Sequence, residues 1–317
     1  MKPTIKLIGT LLIAACLFSA CDTGTGGTDG TTNYWRSNAL TQLGLKGSVQ
    51  SMTTNSSVSN FNAAGNLSSQ TSTNSQSSTT YTYEGGFLVS ATSSYGEGQP
   101  STITYEYNNT GKYIPKNPFH LYMTGLVPAL SAVIAENYRS DYTFHGNDLW
   151  IVNSMIEGTV VTPSDTTIMH YSGNYPFSYT GRYDFLENLT YADNGMFRTY
   201  SEGFYGVGYR DTRTYTFVNT TERMLVATQT STNTSQNNSS SGLITYTYNS
   251  HLDLLTVVDN SSSTYNNEVM EYSSEQEYSD YVYDSHGNWT SRKYRNKYNQ
   301  QGWSDYQTET RSFVYYN

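Results

Sequence analysis

The chain has 317 residues, of which 36% are hydrophobic and 14% are charged, and its formal net charge is −9. Its 31 tyrosines and many threonines favour β-strands and are atypical of a disordered chain. The negative charge argues against the basic surface that a nucleic-acid-binding protein needs, so no nucleic acid is expected as a partner.

The N-terminus has the features of an export signal. A start with two lysines is followed by an apolar run at residues 7–18, which is too short to span a bilayer. The string LFSAC at residues 17–21 resembles the bacterial lipobox, although Phe18 stands where that motif usually has Leu. We therefore predict a lipoprotein signal peptide over residues 1–20 and lipid attachment at Cys21. The alternative is an ordinary secretory signal.

A flexible tether is predicted over residues 21–40, because residues 22–32 read DTGTGGTDGTT. Eleven such residues reach about 17–20 Å. The second cysteine, Cys16, lies within the signal peptide, so the mature domain has no disulfide. These features predict a protein of the cell envelope, anchored to the outer membrane through its lipid, with one extracytoplasmic domain at residues 41–317.

A repeated unit follows along the domain. Residues 61–67 and 283–289 share an aromatic residue, three turn residues, Gly, Asn and a large apolar residue, and looser copies recur elsewhere. Asn or Asp at the first turn position accepts backbone hydrogen bonds, and Gly three residues later adopts a positive φ. This arrangement is typical of a hairpin turn. The predicted turn glycines are Gly65, Gly111, Gly195 and Gly287.

Aromatic residues alternate with polar ones next to these turns. The pairs are Tyr81 and Tyr83, Tyr105 and Tyr107, Tyr215 and Phe217, Tyr246 and Tyr248, and Tyr281 and Tyr283. A period of two places both rings of a pair on one face of a strand. The sequence therefore predicts an all-β fold: an antiparallel hairpin-repeat sheet, curled or closed into a barrel, with a core of stacked rings.

The unit at residues 281–289, YVYDSHGNW, resembles the YD repeat of RHS-type proteins. Residues 45–51 and 61–67 resemble the opening of YD-like lipoproteins of Bacteroidota and similar bacteria. The resemblance covers most of residues 42–317 and implies a β-hairpin sheet that curls or closes, in some members with a porin-like barrel. It implies no activity, because the family is largely uncharacterised.

Three segments depart from the repeat. Apolar residues at 126, 130, 133, 134 and 138 have helical spacing, which predicts a short helix near 126–138. Residues 66–80 and 231–242 are rich in Ser, Thr and Asn, which predicts long hairpin tips or loops.

A search for catalytic motifs finds no Gly-x-Ser-x-Gly, Walker loop or His-Glu-x-x-His, and the five histidines are scattered. We predict no catalytic residue, cofactor or metal. An acidic run offers pairs of carboxylates for glycoside hydrolysis, but a solvated or protected strand face has the same pattern. Its members are Glu268, Glu271, Glu275, Glu277, Asp280 and Asp284.

The candidate ligand-binding residues are Trp150, Trp289, Trp303 and Tyr283, since aromatic faces pack on sugar rings. The sequence thus predicts a non-enzymatic lipoprotein with a binding or envelope-structural role, whose partners are the membrane and a glycan or envelope protein. A carbohydrate-binding lipoprotein and a glycosidase are the alternatives. An outer-membrane barrel ranks last, because the alternate strand positions are mostly Thr, Ser and Glu rather than apolar.

Overall fold

A computed structural model describes residues 38–85, 87–108, 113–115, 126–128, 130–181, 184–192, 197–206, 208–218, 220, 224–235, 238–266 and 268–316. The predicted signal peptide, the lipidation site Cys21 and the tether up to residue 37 lie outside these described residues, as do Gly111 and Gly195.

The described residues form one short helix and 22 strands. The helix is α1 (Ala39–Leu43), and the first strands are β1 (Val49–Thr54), β2 (Ser57–Phe61), β3 (Leu67–Ser72), β4 (Ser77–Glu84), β5 (Phe87–Tyr95), β6 (Ser101–Tyr107), β7 (Tyr113–Pro115), β8 (Leu126–Pro128), β9 (Leu130–Ala135), β10 (Tyr138–His145) and β11 (Asp148–Glu157). The remaining strands are β12 (Val160–Ser172), β13 (Tyr175–Thr180), β14 (Asp184–Tyr191), β15 (Phe197–Gly206), β16 (Tyr209–Val218), β17 (Leu225–Ser235), β18 (Asn238–Tyr248), β19 (Leu254–Tyr265), β20 (Glu268–Tyr283), β21 (Trp289–Tyr298) and β22 (Gln307–Tyr315).

Twenty of these strands form one closed antiparallel barrel. Each strand pairs with the strands before and after it along the chain, except that β6 pairs with β9 because β7 and β8 form a separate hairpin. The ring closes where the first strand, β1, pairs with the last, β22. The predicted all-β antiparallel sheet closed into a barrel is confirmed. The described residues contain no helix of the length and apolar character needed to cross a membrane.

The connections alternate between the two ends of this up-and-down barrel. One end, here the glycine-turn end, holds the turns at 62–66, 249–253 and 284–288, and the opposite end is the far end. Helix α1 lies at the glycine-turn end, because the backbone N–H of Leu40 donates to the carbonyl oxygen of Gly65 at 3.1 Å. Ala39 and Leu40, the last residues assigned to the tether, are 1% and 7% exposed and belong to the packed domain.

The predicted turn chemistry is present in the two best copies of the repeat. The side chain of Asp284 accepts from the backbone N–H groups of residues 286 and 288, and Gly287 has φ +85°. Asn62 does the same for residues 64 and 66, and Gly65 has φ +80°. A third turn uses Asn249 in this way, but Leu252 takes the glycine position with φ +64°, which strains a residue with a Cβ.

The short helix predicted near 126–138 is wrong. This segment forms β8, β9 and the start of β10, and β9 pairs with β6 on one side and β10 on the other. The reason is that Leu130 and Ala132 are buried at alternate positions, and pairing on both sides gives each backbone group a partner. Apolar residues at 130, 133 and 134 fit either period in so short a run.

Residues 66–80 and 231–242 form the ends of the β3–β4 and β17–β18 hairpins, which agrees with the prediction of hairpin tips. The alternative of loops is wrong, because both segments are mostly strand. Their Ser and Thr hydroxyls pair across neighbouring strands and so stabilise the sheet without apolar side chains. Such pairs include Ser78 with Ser94 at 2.8 Å, Thr79 with Ser93 at 2.9 Å and Ser241 with Ser262 at 3.3 Å.

The core lies on one face of the closed sheet, which is therefore the inner face. One cluster contains Leu130, Tyr142, Leu149, Ile151, Met169, Tyr171, Tyr179, Leu186, Leu189, Phe197, Tyr200 and Tyr215. The other contains Ala39, Leu40, Val49, Phe61, Leu67, Tyr81, Leu88 and Ala91. Aromatic rings pack against each other as predicted, for example Tyr200 on Tyr215 with centroids 4.9 Å apart. Aliphatic side chains share this core, since Leu149, Ile151 and Met169 are each 0% exposed.

Tyrosine hydroxyls tie neighbouring hairpins together. The hydroxyl of Tyr107 donates to the carbonyl of Leu88 at 2.8 Å, and that of Tyr248 donates to the carbonyl of Val226 at 2.7 Å. Each accepting residue sits beside a register shift in its own ladder, where a carbonyl is available. A buried ring with a hydroxyl therefore suits this position better than phenylalanine, because the hydroxyl finds a partner.

Candidate functional site

The inner face of the last strands can be followed through the register of the ladders. In β22, Phe313 packs against the second core cluster, and Arg311 and Glu309 share its face at alternate positions. Glu309 lies opposite Arg292 in β21, and Tyr294 of β21 lies opposite Tyr278 in β20. The even-numbered residues 268–278 of β20 therefore face the interior, as do their partners in β19 and β21.

Near the far end this inner face is exposed and aromatic. Tyr272 and Met270 of β20 are 42% and 58% exposed, and Tyr265 of β19 and Tyr298 of β21 are 55% and 48% exposed. Tyr265 lies opposite residue 268, and Tyr298 lies opposite residue 274, so all four share the inner face. We call this set, Tyr265, Met270, Tyr272 and Tyr298, the tyrosine wall. A cluster of large exposed side chains on one face is a candidate binding surface.

A groove of about 650 Å³ lies over the far-end halves of β18–β20 and the connection after β21, and most of its lining side chains belong to the outer face of the sheet. Tyr272 lines it together with Ser241, Gly242, Leu243, Asn260, Ser261, Ser262, Glu271, Ser273, Asn299 and Gln300. Most of these side chains are hydroxyls and amides, and Glu271 alone among them is ionisable apart from the tyrosine. The groove and the tyrosine wall therefore lie mostly on opposite faces of the sheet.

Deeper in the barrel, two arginines lie on the same inner face. Arg292 contacts Glu309 through Nε at 2.8 Å and Nη2 at 2.6 Å, and its Nη1 donates to the hydroxyl of Tyr281 at 3.1 Å. Arg292 and Arg311 both lie over the ring of Trp289, at 4.5 and 3.6 Å from its centroid. The result is a cluster of two guanidinium groups, one carboxylate and a buried indole.

The two guanidinium groups have different electrostatic surroundings. Burial lowers the pKa of Arg292, but its bonds to Tyr281 and Glu309 outweigh this and leave its pKa above the ordinary value. Burial first, and then repulsion from Arg292, lowers the pKa of Arg311 to about 10, although Glu309 and Asp253 act in the opposite direction. Arg311 is therefore still charged at neutral pH, and its Nε is buried without a hydrogen-bond partner among the described residues.

The predicted tryptophans do not meet. Trp150 is 41% exposed on the outer face of β11, since its neighbours in the strand, 149 and 151, are buried inside. Trp289 is 5% exposed and covered by the two arginines. Trp303, in the connection between β21 and β22, lies under Arg295 at 4.4 Å and Lys297 at 5.8 Å. These three residues offer no common platform.

Tyr283, the fourth predicted ligand-binding residue, lies at the glycine-turn end. Its hydroxyl donates to Asp253 at 3.0 Å and accepts from the side chain of Asn249 at 3.0 Å, and its ring stacks on His251 at 4.4 Å. These contacts hold the turn of the neighbouring hairpin.

Strand alternation divides the predicted acidic run between the two faces. Glu271, Glu275 and Glu277 lie on the outer face, and Glu277 pairs with Arg295 at 2.6 Å. Asp280 pairs with Lys293 at 2.9 Å, and Asp284 accepts the turn hydrogen bonds described above. Among the described residues, no group of three or more His, Cys, Asp or Glu side chains is placed to hold a metal ion.

The tyrosine wall and the arginine pair were missed by the sequence analysis. The signal was available in β20, where every second residue of EVMEYSSEQEY belongs to one face and includes Met270, Tyr272 and Tyr278. Comparison with known proteins adds no assignment: no protein-family model matches the chain, and no curated protein matches it.

Proposed function

We propose that the protein is a lipoprotein of the cell envelope that binds an extended, hydroxyl-rich ligand of the saccharide class in the far half of its barrel. The observation that carries this proposal is the tyrosine wall, an exposed aromatic surface on the inner face of a closed sheet. In a folded domain such a surface is costly to leave uncovered unless a ligand uses it.

The chemistry of the surroundings supports a saccharide. Tyrosine has an apolar ring face for the C–H groups of a sugar and a hydroxyl for hydrogen bonding. Ser261 and Ser263 of β19 and Ser274 of β20 lie opposite members of the tyrosine wall in the ladders, share its face and provide further donors and acceptors. A small number of polar groups around an aromatic surface is the ordinary construction of a ligand site.

The position at which the N-terminal segment joins the barrel supports a tethered binding protein. Residue 38 joins the barrel at the glycine-turn end, and the tyrosine wall lies toward the far end. A lipid at Cys21 would then hold the glycine-turn end near the membrane and direct the wall away from it, toward ligands outside the membrane.

Ligand binding is tested with Tyr272→Ala. We expect wild-type protein to bind members of a glycan array and the variant to bind them about fivefold more weakly, because one aromatic contact is worth about 1 kcal/mol. Trp150→Ala is the matched control, since it removes an aromatic side chain of similar exposure from the outer face. Equal binding by wild type and Tyr272→Ala, or no binding to any glycan by folded wild type, contradicts the proposal.

Anchoring is tested by metabolic labelling with a palmitate analogue. We expect wild type to incorporate the label and to partition into detergent, and Cys21→Ala to remain unlabelled, since Cys21 supplies the thiol that the lipobox modifies. A labelled Cys21→Ala protein, or an unlabelled wild type, rules out this part of the proposal.

A further inference from the structure

We propose that Arg311, together with Arg292, forms a carboxylate-binding site inside the barrel, so that the ligand is an acidic saccharide of the uronic-acid type. This inference rests on the proposed function and adds the charge of the ligand to it. It is carried by the contacts of the two arginines and not by the tyrosine wall.

The two arginines differ in what balances their charge. The guanidinium of Arg292 forms an ion pair with the carboxylate of Glu309 through two of its nitrogens. The side chain of Arg311 forms neither an ion pair nor a hydrogen bond within the described part of the chain, its Nε is buried, and its guanidinium carbon lies 3.6 Å from the centroid of the Trp289 ring. With Glu309 matched to Arg292, the guanidinium of Arg311 forms no ion pair with a described carboxylate.

A half-buried charge without a partner lowers stability unless something compensates it. The indole of Trp289 supplies part of the compensation through its ring face. A ligand carboxylate would supply the rest, because the guanidinium fork presents parallel N–H groups that match two carboxylate oxygens.

The single excess charge favours a carboxylate over a phosphate monoester. A carboxylate carries one negative charge at neutral pH, which matches the one guanidinium that has no ion pair, whereas a phosphate monoester carries nearly two. The acidic groups that act on Arg311 are Glu309 and Asp253, and a second negative charge would be repelled by both.

The arginine pair and the tyrosine wall lie on one continuous face. Arg292 and Tyr298 are six residues apart on β21, which corresponds to about 20 Å along a strand. The residues between them on this face, Tyr294 and Asn296, offer a ring and an amide. This spacing suits several sugar units laid along the strand, with one carboxylate at Arg311.

The test compares an oligouronate with its carboxyl-reduced, neutral counterpart on the purified full chain. We expect wild type to bind the acidic oligosaccharide at least tenfold more tightly, and Arg311→Gln to bind both with the affinity of wild type for the neutral one. Arg295→Gln, which removes an arginine from the outer face, serves as the control and keeps the preference. Inorganic phosphate added as competitor should displace the ligand poorly.

The outcomes separate the two proposals. Equal affinity of wild type for both oligosaccharides, a preference that survives in Arg311→Gln, or strong competition by phosphate overturns the carboxylate site while saccharide binding stands. Absence of binding to either oligosaccharide overturns both. Circular dichroism of Arg311→Gln shows whether a loss of binding comes from misfolding. Arg311→Lys keeps the positive charge but lacks the planar guanidinium, and we expect it to retain only part of the preference for the acidic oligosaccharide.

Discussion

Raising the pH above about 10 is expected to unfold the barrel over a narrow range, because its core depends on neutral tyrosines. Burial raises the pKa of Tyr142, Tyr171 and Tyr191 above the ordinary tyrosine value, and neighbouring tyrosines raise it further. In the unfolded chain these rings ionise near pH 10, whereas in the barrel they keep their protons. Above that pH the unfolded state binds fewer protons, so stability falls as pH rises.

The size of this effect follows from the number of buried rings. Each tyrosine that stays protonated in the fold while ionised in the unfolded chain contributes about 1.4 kcal/mol per pH unit. Tyr142 and Tyr171, at 6% and 3% exposure, together contribute about 3 kcal/mol per unit, and partly exposed tyrosines add less. Arg311 acts with the opposite sign, because its lowered pKa makes the fold lose a proton first, but it is a single group.

A titration followed by tyrosinate absorbance and circular dichroism checks this prediction. We expect ionisation and loss of β-structure to occur together. The variant Tyr142→Phe with Tyr171→Phe should unfold less steeply and at higher pH, and its stability at neutral pH, measured in urea, shows whether packing is preserved. Ionisation of all tyrosines with the sheet intact would contradict the argument.

We expect Gly203→Ala to lower the free energy of unfolding more than any other glycine-to-alanine substitution in the described barrel. Gly203 lies within β15, which pairs with β14 on one side and β16 on the other. A Cβ there would overlap the backbone carbonyl oxygen of Asp211 and lie 2.8 Å from Cζ of Phe185, which covers the glycine and is 7% exposed.

Because the obstacle is backbone, the two strands must separate to admit the methyl group. We expect Gly203→Ala to lower the free energy of unfolding by about 3 kcal/mol, within the range of overpacking, and to lower Tm by roughly 6–12 °C. Gly206→Ala in the same strand is the matched control, since no atom lies within 4 Å of its added Cβ. Equal unfolding midpoints for the two variants would show that β15 and β16 are not packed as described.

The features predicted from sequence are those fixed by local chemistry. Asn62 and Asp284, each three residues before a glycine, define their turns without reference to the rest of the chain. The alternation of Tyr281 and Tyr283 defines a strand face in the same way. Given many such hairpins in series, an antiparallel sheet follows.

The features missed depend on which strands become neighbours. The segment at 130–135 is a strand because β6 and β10 flank it, and no local pattern gives that pairing. Arg292, Glu309 and Arg311 come together only once β21 and β22 are in register. Trp289 is a candidate ligand-binding residue in the sequence analysis, because the sequence does not show that two guanidinium groups cover its ring.

The pairing of β1 with β22 has a consequence for biogenesis. Until Tyr315 reaches Val49, the growing sheet has two open edges, each a row of unsatisfied amide and carbonyl groups that invites pairing with another chain. Contacts between residues so distant in sequence form slowly. During synthesis the polypeptide must therefore be kept apart from its copies until β22 is available, and a deletion of β22 alone would leave an aggregation-prone open sheet.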